Sequence, residues 1–238
     1  MINSEFIKFG RKVPKDWEHV TKYPLRKLSY PVPKSIEVQI DYPLFVREFY
    51  DQGITNGCVG YSSSIMMTIY NEYYHYDAPW LWQRAKVYDN DPVTKEGDNE
   101  GTYVSAAFDV LRKEGHKPFG NDKPEPEHGI LSNYWAMTVD EMRIALSLNR
   151  PVVIGINWYS EFMYPVFDGG KWWIGNSPNL GYVQGSHAIC VIGASDALQA
   201  FKLINSWGRI YPIVWIPYKV MSRLLEEDGE SVVAIDLQ

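Results

Sequence analysis

No run of about 18 apolar residues occurs in this 238-residue chain, so no segment is expected to span a bilayer. The stretch from Met1 to Pro14 lacks an apolar h-region, and a Sec-type signal is not expected. Cysteine is scarce. Two in the whole chain exclude a disulfide scaffold and make a reducing compartment the default. An excess of basic charge is missing as well: 23 Lys and Arg face 29 Asp and Glu, a net charge of −6. A general nucleic-acid binder would carry a basic stripe, so neither nucleic acid nor membrane is expected as a partner. No Cys/His spacing suggests zinc, and the acidic loop from Asp89 to Glu100 lacks the Asp-x-Asp-x-Asp-Gly calcium pattern. No metal or other cofactor is expected. Repeats and low-complexity tracts are absent too.

What the chain does have is rings. Aromatics reach 15%, with 17 Tyr and 9 Trp, inside an ordinary globular balance of 45% apolar and 22% charged residues. Pro14, Pro24, Pro31, Pro33 and Pro43 punctuate the first part and favour extended, surface-following chain. Helical spacing begins at Cys58 and runs toward Tyr76, after the turn-rich segment Asp51 to Gly57. Further helices are expected over Trp80–Tyr88 and Thr102–Glu114, the latter stopped by Gly115. Thr138 to Glu141 is a capping box opening a helix through Leu148. After Pro151 short apolar runs take over, at 152–156, 188–192, 201–204, 213–216 and 232–235, with one helix at 218–226. Helices first and strands second imply an α+β architecture of two unlike halves.

Cys58 follows a turn and opens the first long helix. Free backbone N–H groups and the helix dipole at that position favour a thiolate. A lone cysteine there is more often a small buried residue. Three further residues shift the balance. Gln52 lies on the turn before Cys58, where its amide and the Cys58 N–H can serve an oxyanion. His187 and Asn205 follow Cys58 by roughly 130 and 150 residues, the interval of papain-like proteases. His187 alone would read as a structural histidine, Asn205 as a strand end and Trp207 as core. Their joint occurrence with Cys58 points to nucleophilic chemistry.

In these residues the chain resembles the papain-like cysteine peptidases, the compact bacterial and viral members more than the secreted ones. Gln52-Gly53 and Cys58 match the family's turn, followed by Tyr61-Ser62. His187-Ala188 with Gly193 matches its histidine strand, and Asn205 to Gly208 matches Asn-Ser-Trp-Gly in full. The resemblance covers about Tyr42 to Asp236. It implies a papain-like fold, a helical subdomain against a β-rich, barrel-like one, with the cleft between. It implies Cys58 as nucleophile, His187 as general base and acid, and the two resting as a thiolate–imidazolium pair. Asn205 would orient the imidazole under the cover of Trp207, and Gln52 would complete the oxyanion hole. Gly101 and Thr102 would pair with an extended substrate as an added strand, and Asn56 would narrow the primary subsite with its side chain.

Gly57 and Val59 flank the nucleophile where the family has Ser and Trp, and Thr55 replaces a disulfide cysteine. After Gly208 the chain reads Arg209-Ile210-Tyr211-Pro212 and leaves the family pattern at the rim of the cleft. The expected division is an N-terminal arm at 1–44, a helical subdomain at 45–149 carrying the nucleophile, and a β-rich subdomain at 150–238 carrying His187 and Asn205. The arm has two readings, a segment occluding the cleft or one docking into a larger assembly. The expected activity is an endopeptidase acting on a protein or peptide through a thioester, in the cytoplasm or a virion. An inactive papain-fold component of an assembly and a peptidoglycan-directed cysteine hydrolase are the alternatives. The first has no need of all four site residues, and relatives of the second normally lack the upstream glutamine and Asn-Ser-Trp-Gly.

Overall fold

Alternation along the strands of the second half builds a wall with an apolar face on each side. In the computed structural model, which describes residues 7–40, 49–71, 74–92 and 97–235, nine strands join one sheet. These are β1 (Glu37–Gln39), β2 (Asn133–Trp135), β3 (Val152–Tyr159), β4 (Val166–Asp168), β5 (Lys171–Trp173), β6 (Val183–Ser195), β7 (Ala200–Ile204), β8 (Val214–Pro217) and β9 (Glu230–Ala234). Their order is β2-β9-β3-β6-β7-β8-β5-β4, with β1 added on β6. The described helices are α1 (Glu18–Lys22), α2 (Cys58–Tyr70), α3 (Ala78–Tyr88), α4 (Val104–Lys113), α5 (Val139–Ser147) and α6 (Tyr218–Glu226).

Successive side chains of a strand point to opposite faces. Val153, Cys190, Ile192 and Val232 therefore pack with α2, α3 and α4 in one core. Val152, Ile154, Ile189, Val191 and Val233 pack with α5 and α6 in a second core on the other face. Helix α2 is buried from Cys58 to Thr68: Ser64 Oγ donates to the Gly60 carbonyl and Thr68 pairs with Tyr50, while Ser63 Oγ is left without a partner. Gly60 lets α3 cross closely, because a Cβ there would lie 2.5 Å from Trp82 Cβ. Asp77 caps α3 by accepting the Trp80 N–H, and Gly115, at φ +79°, ends α4.

Two expectations change. Helix α5 was expected in the helical half, yet Met142, Ile144, Ala145 and Leu146 pack in the core shared with β3, β6 and α6. Chain order placed it with the first helices; its apolar face fits the far side of the sheet. The arm was expected as extended surface chain. Residues 7–40 instead wrap the second half, burying Leu25 and Ile36 in its core and adding β1 to Gly193–Ser195. The arm boundary at 44/45 lies outside the described residues. Among the described residues, no helix is long and apolar enough to cross a membrane.

Candidate active site

The sulfur of Cys58 lies at the start of α2, fully buried. No side chain caps this helix, since Gly57 precedes it, so its first amides stay free for another acceptor. The backbone of Ala188, Gly10 and Val59 pulls the thiol down, against the effect of its burial. Ala188 is the neighbour of His187 on β6, so the cysteine and the imidazole sit on facing elements of the two halves.

Hydrogen bonds fix the state of the imidazole. Asn205 Oδ1 accepts the Ser206 N–H at 2.8 Å, which orients the amide because that N–H can only donate. His187 Nε2 lies 2.8 Å from the same oxygen and must therefore be the donor. The neutral ring thus carries its proton on Nε2 and a lone pair on Nδ1, and Nδ1 is buried without a hydrogen-bond partner. Trp207, 3% exposed, lies over the ring with centroids 4.9 Å apart, and Trp158 meets its edge at the same distance. Among the described residues, seven buried side-chain polar atoms lack a partner. Four of them gather here: His187 Nδ1, Asn205 Nδ2, Trp207 Nε1 and Trp158 Nε1. Folded proteins pair nearly all such groups, so this concentration marks a place built for something other than stability.

Gln52 is held in the same way. Its Oε1 accepts from Ser206 Oγ at 2.7 Å, while Nε2 donates to the carbonyls of Thr55 at 2.9 Å and Lys8 at 3.1 Å. Both carbonyls can only accept, so the orientation is unambiguous. Ser206 thereby ties Gln52 to the Asn205 segment. Its role went unread in the sequence, although it lies inside the Asn-Ser-Trp-Gly element.

Lys8 belongs to the arm, which runs through the site. Phe9 packs edge-on against His187 at 5.8 Å and near Trp207 at 6.2 Å. Gly10 gives its carbonyl to the Thr102 N–H, and the Lys12 N–H returns to the Thr102 carbonyl, both at 2.9 Å. Arg11 thus pairs with Thr102 as a short parallel bridge, while its own N–H reaches the Ser186 carbonyl on the opposite wall at 3.2 Å. Only glycine fits at two points of this crossing. A Cβ at Gly10 would collide with the Asn56 carbonyl, and one at Gly101 with the carbonyl of Gly10. Asn56 therefore borders the cleft with its backbone. Its side chain does not narrow a subsite but turns away, donating to the Asn99 carbonyl at 2.6 Å. Residues 10–12 thus bridge Thr102 on one wall and Ser186 on the other.

Closure corrects the expected charge state. Burial raises the Cys58 thiol above its ordinary value, against the pull of the amides and of Arg11. Burial also pushes His187 down to about 4, opposed by the Asn205 bond. With the arm seated, thiol and imidazole are both neutral, rather than the ion pair the resemblance implies. Water is what would solvate the charges, and the arm excludes it. Cys190 is raised by burial, with no other cause acting on it.

No family model and no curated protein matches the chain. Solved structures do. Xylellain, a cysteine protease from Xylella fastidiosa, superposes with a TM-score of 0.71 at 16% identity, covering 100% of both chains. The digestive procathepsin L 3 of Tenebrio molitor gives 0.62 at 14% identity over 96% of this chain and 76% of its own. The procathepsin B S9 of Trypanosoma congolense gives 0.61 at 14% identity over 100% and 86%. The chain has the papain-like cysteine protease fold.

Proposed function

We propose that the chain is a cysteine peptidase that hydrolyses peptide bonds through a thioester on Cys58. One observation carries the reading: His187, on the strand facing the start of α2, has Nε2–H fixed on Asn205 while its buried Nδ1 has no partner. A structural histidine would have both nitrogens bound.

When the arm leaves, water enters and the Cys58 proton passes to His187 Nδ1. The thiolate attacks the substrate carbonyl carbon. The electron pair moves to the carbonyl oxygen, which takes hydrogen bonds from Gln52 Nε2 and the Cys58 N–H. The tetrahedral intermediate collapses, the C–N bond breaks, and Nδ1–H gives its proton to the departing amine. Water then loses a proton to Nδ1 as it attacks the thioester, and the carboxylic acid leaves with Cys58 restored as the leaving group. Asn205 holds the ring in the required tautomer throughout, and Thr102 offers the backbone pairing that the arm now uses.

The test is labelling by an epoxysuccinyl trap, read by mass spectrometry on the unmodified chain and on Arg11→Ala, which loosens the arm. The expected result is one adduct at Cys58, faster in Arg11→Ala, none at Cys190, and loss of the adduct in His187→Ala. Labelling of Cys58 that is indifferent to His187 would sink the mechanism.

A further inference from the structure

Arg11 does more than cross the cleft. Its guanidinium, with the residue 5% exposed, enters a side pocket that opens beside the Thr102 pairing segment. Nε meets Glu230 Oε1 at 3.1 Å, Nη1 donates to Ser186 Oγ at 2.9 Å, and Nη2 donates to the Asp228 carbonyl at 2.8 Å. Gly155, paired with Glu230 across β3 and β9, leaves the room: a Cβ there would lie 2.5 Å from Arg11 Nε. The Glu230 carboxylate has no solvent exposure, and its Oε2 has no hydrogen-bond partner, with His19 Nε2 3.5 Å away.

A wholly buried carboxylate is costly unless it is paired and hydrogen-bonded. The pairing here comes from the segment that must leave for any substrate to enter. Once Arg11 is out, Glu230 faces an emptied pocket shaped for a planar fork: a carboxylate at the floor, a hydroxyl and a carbonyl on the walls, and a glycine where bulk would block it. Three acceptors around one plane match guanidinium better than an ammonium point charge. Gly10, the residue before Arg11, crosses against the backbone of Asn56, two residues before Cys58, so the pocket lies close to the reacting centre.

We infer that Glu230 is a specificity-determining residue, and that its pocket selects an arginine side chain of the substrate beside the scissile bond, on the side that pairs with Thr102. The inference rests on the peptidase reading for its biological use, while the pocket's chemistry stands apart from turnover. Arg11 is then the chain's own occupant of the subsite its substrate needs. Closing the cleft with a matched residue ties opening to competition by arginine-bearing peptides.

Two measurements on the full chain test this. Cleavage-site profiling of a peptide library compares the unmodified chain with Glu230→Gln. Selectivity is a ratio, so the fraction of molecules with an open cleft cancels. Arginine should be favoured over leucine at one position near the cut, and Glu230→Gln should reduce that preference by about thirtyfold or more, as for a truncated buried charge pair. Cleavage without such a preference, or a preference untouched by Glu230→Gln, overturns the inference and leaves the peptidase reading intact. Separately, Arg11→Ala is titrated with ethylguanidinium and with uncharged ethylurea of similar shape, reading the thermal midpoint. Ethylguanidinium alone should raise it, and Glu230→Gln in the same background should abolish the rise. Equal responses would overturn the pocket. A guanidinium response together with no cleavage of any peptide overturns the peptidase reading and supports the pocket. Should Arg11→Ala not fold, the library comparison decides by itself.

Discussion

His116 and His187 occupy two regions of one molecule under nearly the same physical conditions and are treated differently by their neighbours. Both are fully buried, and burial lowers both, His116 well below its ordinary value and His187 to about 4. His116, at the back of the helical core, has both ring nitrogens bound: Nδ1 accepts the Lys117 N–H at 2.8 Å and Nε2 meets Ser64 Oγ at 2.8 Å. It also stacks on Tyr76 with centroids 4.4 Å apart. His187 has one nitrogen bound and the other bare. Burial alone does not separate the two rings. The unpaired nitrogen does, and on the proposed reading it is the one that takes the thiol proton.

The comparison can be broken by substitution, the largest effect first. In the arm-loosened Arg11→Ala background, Cys58→Ala and His187→Ala should each lower kcat on a peptide by about 10⁴ or more, the scale of removing a reacting group. His116→Ala should leave kcat alone in whatever fraction folds and lower stability by about 2–4 kcal/mol, measured by denaturant unfolding, since it empties a filled and hydrogen-bonded site. A large kcat loss from His116→Ala would erase the distinction.

The next effect down belongs to the oxyanion side. Gln52→Ala should reduce kcat by about 10²–10³ in the same assay. Ser206→Ala should reproduce part of that loss without touching the reacting atoms, because Ser206 Oγ holds the Gln52 amide in its orientation. Asn205→Ala should cost less than Gln52→Ala, as it frees the ring to take other orientations but removes no reacting group. A loss in Asn205→Ala as large as in His187→Ala would mean that the amide does more than orient.

The smallest effect sharpens the comparison by pH. A histidine buried neutral has a folded value below its unfolded one of about 6.5, so the unfolded chain binds more protons as pH falls below that point. Its stabilising contribution is present above pH 6.5 and is lost progressively on acidification toward about 4, the folded value of His187. The thermal midpoint of the full chain should therefore fall over that window by several degrees. His187→Phe should remove part of the fall and His116→Phe another part. Hydrogen exchange would separate the two regions: the Thr102 amide, bonded to Gly10 of the arm, should lose protection with the titration of His187. A flat midpoint across the window would contradict the buried neutral state of both rings.

The long elements were legible because their signals are local. The Thr138 capping box became α5, with the Thr138 hydroxyl accepting the Glu141 N–H, and 218–226 became α6 with the expected bounds. The strand runs grew at their ends; the run 188–192 extended to β6 at 183–195, where pairing with β3 and β7 continues past the apolar stretch. The short strands β1, β2, β4 and β5 were not read. Three residues carry too little pattern, and it is partners such as Gly193–Ser195 for β1 that make them strands. Of the candidate site residues, Cys58, His187, Asn205 and Gln52 were visible through motif and spacing. Ser206, Glu230 and Arg11 were not, since nothing near Glu230 in the chain tells that a guanidinium from the other end will lie on it.

By itself the sequence determined which groups could react: a thiol at a helix start, an imidazole on a strand, an amide after it and another before the thiol. Those identities are set by chemistry that does not depend on distance. Tertiary structure decided the state they are in. Residues 7–12 fold back across the cleft, remove water from Cys58 and His187, and bring Arg11 onto Glu230. A charge is stable only where something solvates or pairs it. That is a property of everything surrounding the atom, and most of what surrounds these atoms comes from distant parts of the chain.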